Sequence, residues 1–388
     1  MQDPQPKSQP DTRLGRSRLR IAQVVFSLEP GGLENGVVNL SNGLDPDRFE
    51  TEIVCLERVG AFAERLRPGI AVSCLDKPPG LSPATMARFA AHLRRRRPDL
   101  LHTHNLGPLV QAFGARTLAG RRIPILHGEH GVLRAEDLSP RRLLLRKWLY
   151  RRCARVHTVS ASLRHHLKEI GLPADHVVSL LNGVDVARFR PPASRAAAKE
   201  LIGLPRDALV VGMVGRLIPS KRHGLLLQAF AEIGASVPQL RLLLLGDGGE
   251  AREAVLSAIQ EHPLRERIHW VGHQAEPAPY YAAMDLLAMP SSVEGLSNAL
   301  LEAMACGVPC LAHPACGATE VVADGKNGLL RSMDRVGELA DALGEALARP
   351  ELLAAMAREA RVRVEADFSL EAMVARYARL FEELAEGG

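Results

Sequence analysis

Aromatic residues are scarce in this chain: two Trp, four Tyr and nine Phe, 4% of 388 residues. Stacked nucleobases need ring platforms, and no recognition motif accompanies the basic residues, so nucleic acid is excluded as a partner. Long apolar runs are missing as well. None approaches the ~18 residues that a membrane span needs. Cysteine is limited to six residues, Cys55, Cys74, Cys153, Cys306, Cys310 and Cys316. Most stand in apolar surroundings that suit reduced buried thiols, and the close trio Cys306, Cys310 and Cys316 fits no common zinc spacing. No metal is expected. Residues 1–18 are mostly polar and carry Pro4, Pro6 and Pro10 with several arginines, so they read as a disordered tail. The apolar segment from Ile21 to Leu28 is too short for a secretory signal, no small-residue cleavage site follows it, and Pro30-Gly31-Gly32 reads as a loop after a strand. A cytoplasmic location is expected.

What the chain does have is a globular composition, 46% hydrophobic, at a length that favours two domains. Its net charge of +5 is split unevenly. Residues 1–190 hold 30 basic and 18 acidic side chains, whereas residues 191–388 hold 19 and 26. A basic half and an acidic half suggest domains with different partners.

Both halves read as alternating strands and helices. Strands are expected at Leu19–Leu28, Glu52–Leu56, Ala71–Leu75, Leu100–His104, Ile123–His127 and Arg155–Ser160 in the first half. In the second they are expected at Leu209–Val214, Leu240–Leu245, Ile268–Val271, Leu286–Met289 and Pro309–Ala312. Amphipathic stretches separate them, including Ala84–Arg96 and Arg141–Arg152, and Pro191-Pro192 reads as a linker. The fold class is α/β, with two Rossmann-like domains whose parallel sheets face each other across a cleft. Ligands of such sheets lie at the carboxyl ends of strands.

The most informative stretch runs from Ser292 to Pro309 and sets Glu294 and Glu302 on either side of a helix start. Gly295, Ser297 and Asn298 suit the end of a loop and a helix cap. The free N–H groups of such a start can hold a phosphate, and carboxylates to either side can hold hydroxyls. Eight helical residues span ~12 Å, about the length of a sugar, a diphosphate and a ribose in series. Arg216 and Lys221 follow the strand ending at Val214, where two cations can stabilise a departing diphosphate. Gly31-Gly32 ends the first strand and lets a ligand approach the backbone closely. Two histidine groups, His102-Thr103-His104 and His127-Gly128-Glu129-His130, end strands of the first half. His130 is favoured for hydrogen bonding to substrate, with His104 a weaker candidate, while His102 and His127 read as core residues. The basic stretch Arg141–Arg155 carries Leu145, Trp148 and Leu149 at helical spacing. It suits either packing on the domain's own core or an anionic membrane surface.

These residues resemble the retaining glycosyltransferases with the two-domain GT-B fold, often called family 4. The resemblance rests on Gly215-Arg216 with Lys221, Leu244–Gly248, the run from Glu294 to Gly307, Glu320 to Gly328, and Asn182–Asp185. The Gly31–Leu40 and Gly128–Gly131 segments look most like sugar transferases of bacterial exopolysaccharide clusters. The resemblance implies an acceptor-binding domain over residues 19–190, a nucleotide-sugar domain over 191–370, and a final helix over 371–388 that crosses back. It implies catalytic roles for Arg216, Lys221, Glu294 and His130. Donor contacts are implied from Gly32, Gly215, Gly248, His273, Gln274, Gly295, Leu296, Ser297, Asn298, Ala299 and Glu302, the last at the ribose. Gly31, His104 and Glu129 are candidates on the acceptor side. The implied donor is a nucleoside diphosphate sugar, with no cofactor and no metal. The implied acceptor is a glycan or lipid-linked saccharide, with membrane contact through the basic domain at the inner face of the cytoplasmic membrane. An epimerase on the same fold, or a non-catalytic nucleotide-sugar-binding partner, are the alternatives. Two departures stand out: Arg222 follows Lys221 where the family often has Gly, and Ser297 stands where Pro or Gly is frequent.

Overall fold

The computed structural model describes residues 18–131, 133, 135–173, 175–293, 296–315 and 317–387. The tail expected over 1–18 therefore lies outside the described residues apart from Arg18.

The first domain runs β1 (Leu19–Val25), α1 (Gly32–Gly43), β2 (Phe49–Cys55), β3 (Ala71–Cys74), α2 (Pro83–Arg96), β4 (Leu100–His104), α3 (Leu106–Ala119), β5 (Ile125–Glu129), α4 (Pro140–Tyr150), β6 (Arg155–Thr158), α5 (Ala161–Glu169) and β7 (Val177–Ser179). After α6 (Arg195–Leu201) come β8 (Leu209–Val214), α7 (His223–Gly234), β9 (Leu240–Leu245), α8 (Arg252–Gln260), β10 (Ile268–Trp270), α9 (Ala278–Ala283), β11 (Leu286–Met289), α10 (Asn298–Ala305), β12 (Cys310–Ala312), α11 (Ala318–Val321) and β13 (Leu329–Leu330). Helices α12 (Val336–Leu347), α13 (Pro350–Asp367) and α14 (Leu370–Glu386) follow.

The sheets have the orders β3-β2-β1-β4-β5-β6-β7 and β10-β9-β8-β11-β12-β13, with every pairing parallel. Each order reverses beside its first strand, between β1 and β4 and between β8 and β11. The loops leaving those strands open the crevice where ligands sit. Strands β7 and β13, three and two residues long, escape sequence reading because a period of two needs more residues to show. The expected strand Ile123–His127 lies two residues later, which carries Gly128 and Glu129 into the sheet.

Helix α14 returns to the first domain, packing on α1 and β4. Tyr377 and Phe381 enter a core with Ile21, Leu40, Phe49 and Leu100. The crossing is pinned where the Leu370 N–H donates to the Val184 carbonyl and the Val184 N–H donates to the Phe368 carbonyl, both 2.9 Å. Gly183 permits it, since a Cβ there would stand 2.7 Å from the Ser369 carbonyl oxygen. A second tie joins the domains: Glu320 of α11 accepts the Ala161 and Ser162 N–H groups at 2.7 and 2.8 Å, capping α5.

Candidate active site

Two helix starts meet across the cleft. The Asn298 Nδ2 group, in the first turn of α10, donates to the Gly32 carbonyl in the first turn of α1 at 3.3 Å. Asn182, just before the linker, donates to Asn298 Oδ1 at 3.1 Å and to the Leu296 carbonyl at 3.3 Å. Ser297 is the N-cap residue, yet its side chain makes no capping bond. Asn298 bridges the domains instead. Leu296 and Ser297 are buried, and with Asn298 and Ala299 they form the start of α10, whose first-turn N–H groups have no acceptor within the helix. Glu294 and Gly295 lie outside the described residues.

Arg216 is exposed in the loop after β8 and faces Glu34 of α1 across the cleft. Burial raises the Glu34 pKa, while its own backbone N–H and the Arg216 charge pull the other way. The Glu34 carboxylate lies over Gly31, where an added Cβ would meet Oε2 at 2.2 Å. The Lys221 stem lies against Gly215, 3.3 Å from where a Cβ would be. The loop is tied to the one after β11, because the Ser292 N–H donates to the Ser220 carbonyl at 2.9 Å. Arg222 explains one departure from the family pattern. Its φ of 60° is the left-handed region that favours glycine. Its guanidinium holds it there, on the Met333 carbonyl at 3.0 Å and on Asp334 at 2.8 Å.

One helical turn inside α10, Glu302 accepts the Tyr281 hydroxyl at 2.7 Å. It lines a cavity with Asn35, Asn39, Gly183, Asp185, Arg188 and Asn298. Burial pushes its pKa up to about 7, against the Tyr281 hydrogen bond and the charges of Arg188 and Arg65. Arg65, donating to Asn35 Oδ1 at 2.9 Å, comes from the first domain. Gly248, exposed, accepts the Leu217 N–H through its carbonyl at 2.8 Å. His273 is exposed nearby and lowers the pKa of Asp247 slightly, after the Gly248 N–H and Arg252. Gln274 is held back on the Val271 carbonyl at 2.5 Å.

The histidine-rich strand ends are arranged differently from expectation. His104 is not on the acceptor surface; it is 3% exposed. Its Nε2 meets Gln23 Oε1 and its Nδ1 meets His130 Nε2, both at 2.9 Å. An amide oxygen only accepts, so His104 carries its proton on Nε2 and accepts on Nδ1 from His130 Nε2–H. The Nδ1 of His130 is then the nitrogen left for a ligand, as an acceptor. Burial brings the His130 pKa down to about 4. Gly128 leaves room for this fold-back, since a Cβ there would stand 2.7 Å from His130 Nε2 and 2.5 Å from His157 Nε2.

Glu129 is likewise turned inward, at 2% exposure, and not toward an acceptor. It accepts Arg146 Nε at 3.2 Å and the Tyr150 hydroxyl, both from α4. Burial alone would raise its pKa; the His127 hydrogen bond and charge, with Arg146 and Tyr150, bring it down to about 2. His102 and His127 are fully buried core residues. Sequence reading missed Gln23, Glu34, Arg65, Asn182 and Tyr281. Asn182 and Glu34 left a signal, the first in the Asn-Gly-Val-Asp run before the linker and the second in the Gly31–Leu40 segment.

Two family models match the chain. Glycosyltransferase Family 4 covers residues 30–188, and Glycosyl transferases group 1 covers residues 194–363. A D-inositol 3-phosphate glycosyltransferase 2 of Catenulispora acidiphila is 29% identical, with 92% of each chain aligned. A GDP-mannose-dependent alpha-(1-6)-phosphatidylinositol monomannoside mannosyltransferase of Mycolicibacterium smegmatis is 34% identical over 65% of this chain and 66% of its own. Among solved structures, Anabaena Alr3699/HepE in complex with UDP-glucose superposes with a TM-score of 0.82 at 24% identity, covering 94% of this chain and all of that one.

Proposed function

The chain belongs to the glycosyl transferases group 1 on the GT-B fold, and from that premise we propose that it moves a sugar from a nucleoside diphosphate to an acceptor hydroxyl with retention at the anomeric carbon. The observation that carries this reading is the meeting of the α1 and α10 starts beside Arg216 and Lys221, one helical turn from Glu302. The diphosphate lies at the facing helix starts, Arg216 and Lys221 stabilise it as it leaves, and Glu302 takes the ribose hydroxyls. Gly32, Gly215 and Leu296 to Ala299 line the diphosphate, and Gly248, His273 and Gln274 lie along the base. Glu294 holds the sugar, and His130 accepts a hydroxyl hydrogen bond.

Glu302 is taken up at the ribose and Glu129 within its domain. Neither is then free to act as a nucleophile, and the cations beside the diphosphate suit front-face attack assisted by the departing phosphate. The cations and helix starts supply the charge that a metal would, so no metal or cofactor enters the proposal. The acceptor is a glycan or a lipid-linked saccharide of surface glycan assembly, such as exopolysaccharide. The enzyme works at the inner face of the cytoplasmic membrane through its basic domain. Among the described residues no helix is long and apolar enough to cross a membrane.

The test is a panel of nucleoside diphosphate sugars, followed for binding and slow hydrolysis with and without chelator. One donor should bind and hydrolyse in both conditions, releasing the sugar with its anomeric configuration kept. Binding of none would sink the proposal. A changed sugar recovered from donor alone would identify an epimerase instead.

A further inference from the structure

We infer that α4 docks the first domain on an anionic lipid bilayer, with Leu144 and Trp148 entering the interface and the surrounding arginines binding lipid phosphates. This deepens the membrane contact proposed above and rests on it.

The helix is built the wrong way round for one that only packs on its own domain. Its apolar residues were expected to form one stripe, but the stripe is divided. Leu149 and Tyr150 are buried, whereas Leu144 is 69% exposed, Trp148 43% and Leu145 39%. An arginine takes the inner position instead: Arg146 is 3% exposed, held by Glu129 at 3.2 Å and Asp137 at 3.1 Å. Burying a charge costs several kcal/mol before its partners offset it, roughly what burying one or two leucines would gain. A fold that buries Arg146 and leaves Leu144 and Trp148 in water presents an apolar face for use.

Charge selects the occupant. No acidic residue lies between Asp137 and Glu169, an interval with nine Lys and Arg. Arg141, Arg142, Arg151 and Arg152 are exposed around the apolar side chains. Arg152 stacks on Trp148, its guanidinium carbon 4.0 Å from the ring centroid, and donates to the Trp148 carbonyl at 3.2 Å. Trp148 is steadied from below by Phe113 of α3, edge to face at 5.0 Å. Farther along α3, Leu118 is 53% exposed, and its carbonyl accepts from Arg94, the first of four successive arginines ending at Arg97. A tryptophan with leucines on one face and arginines around them is the make-up of a helix lying at the headgroup boundary. Three apolar side chains on one helix fall short of the ~800 Å² per partner that a stable protein interface needs. They suffice at a bilayer when charge contributes about fivefold in affinity per basic residue.

The docking face is fixed to the site from behind. Arg146 and Tyr150, on the inner side of α4, hold Glu129, the residue before His130. A bilayer-bound α4 therefore sets the acceptor edge of the cleft at the lipid surface.

The whole protein is sedimented with phosphatidylcholine vesicles, with and without phosphatidylglycerol, over a salt series. Wild type should pellet with the anionic vesicles only, and less as salt rises. The Leu144→Glu/Trp148→Glu variant should lose about tenfold or more in partitioning. Arg151→Ala and Arg152→Ala should each lose about fivefold. Donor hydrolysis in solution should match wild type, and thermal melting should fall by no more than a few degrees, the scale of the lost Trp148 ring contacts. Equal binding to both vesicle types, no binding by wild type, or wild-type binding by the double variant would overturn the inference. So would a wild-type dimer that the double variant dissociates without any change in vesicle binding, since the face would then be a contact between copies. If vesicle binding behaves as expected but no donor is bound or hydrolysed, the docking surface stands and the transferase reading falls.

Discussion

The two sheets share one strand order but not one interior. The second sheet is apolar throughout its central strands: Leu209–Val214, Leu240–Leu245, Leu286–Met289 and Cys310–Ala312 offer no titratable side chain except the buried Cys310 thiol, which burial keeps neutral, and Arg241, which is only partly buried. Its chemistry lies in what leaves the strands, namely the loop with Arg216 and Lys221 and the helix with Glu302. The first sheet carries polar groups within its strands. Gln23, His102, His104, His127, Glu129 and His157 are all buried to 3% exposure or less. Ligand groups on loops are displaced from the core, so their loss should change rate and affinity and leave the fold alone. Groups inside strands are fold and function together, because a buried polar side chain must be satisfied by its neighbours.

The sharpest separation is expected on the second domain. Arg216→Ala and Lys221→Ala should each lower kcat by about a hundredfold to a thousandfold, the scale for removing a group that stabilises charge in the transition state. Thermal melting should hardly move for Arg216→Ala, since the side chain is exposed. Turnover near wild type in both variants would break the assignment.

The first domain should answer in the opposite currency. Glu129→Ala leaves Arg146 in its buried position with Asp137 alone, and removing one partner of a buried pair costs about 3 kcal/mol or more. Denaturant unfolding should report that loss while donor affinity stays within a small factor of wild type. The pH dependence carries a sign. The folded pKa of Glu129 lies below the ordinary carboxylate value, so its stabilising contribution is present above that value and is lost as pH falls toward about 2. A variant as stable as wild type would mean that the inward carboxylate adds nothing.

This difference between the sheets also decides how much the sequence discloses. The charged and capping residues of the second half stood out in the sequence because loop chemistry is local. Arg216, Lys221, Asn298 and Glu302 sit within short runs whose spacing already implies a strand end or a helix start. The alternation of strands and helices gave both sheets, apart from β7 and β13. The first half was legible as a fold and misleading as a site. His104 and Glu129 looked like cleft residues because they end strands, but a strand end shows only its residue numbers, not which face each side chain takes. A two-residue error in the bounds of β5 left Glu129 in a loop beyond the strand, whereas it is the strand's last residue and packs under α4. Gln23 gave no signal at all, since one amide in a hydrophobic strand looks like an ordinary interruption until β4 is laid beside β1. The leucines of α4 misled for a related reason: helical spacing identified the stripe, and only packing could say that half of it faces water.

Glu302, proposed to hold the ribose, tests the boundary between the two behaviours, because it stands on the helix that follows a strand-end loop and is also desolvated. With a pKa near 7, it is half protonated at neutral pH in the free protein. Ribose hydroxyls donate to a carboxylate, so donor affinity should strengthen as pH rises through 7. The sign follows from burial having raised the pKa: the neutral form dominates below it and cannot accept two donors equally well. Between pH 8 and pH 6 the apparent Kd should weaken roughly tenfold if the donor binds only the ionised form. A nucleotide sugar is the ligand to use, because its diphosphate does not titrate there. Glu302→Gln should bind more weakly and show a flat profile. A profile equally steep in that variant would place the titrating group elsewhere.

The smallest expected effect isolates the first sheet's contribution to chemistry. Gln23→Leu removes the acceptor of the His104 Nε2–H bond and leaves that donor buried. An unsatisfied buried donor costs about 1–3 kcal/mol, more than moving a proton between the two nitrogens of one ring. His104 should therefore change tautomer and donate through Nδ1 to His130 Nε2, which must then give up its own proton to Nδ1. The nitrogen that His130 offers to a ligand turns from acceptor into donor. The expected loss in kcat/KM is about fivefold, the worth of one net hydrogen bond, with donor affinity unchanged. The nitrogen-15 shift of His130 Nδ1 should move from the unprotonated to the protonated range. That shift separates the relay from a packing defect, because a loosened core would lower stability without moving the proton from one ring nitrogen to the other.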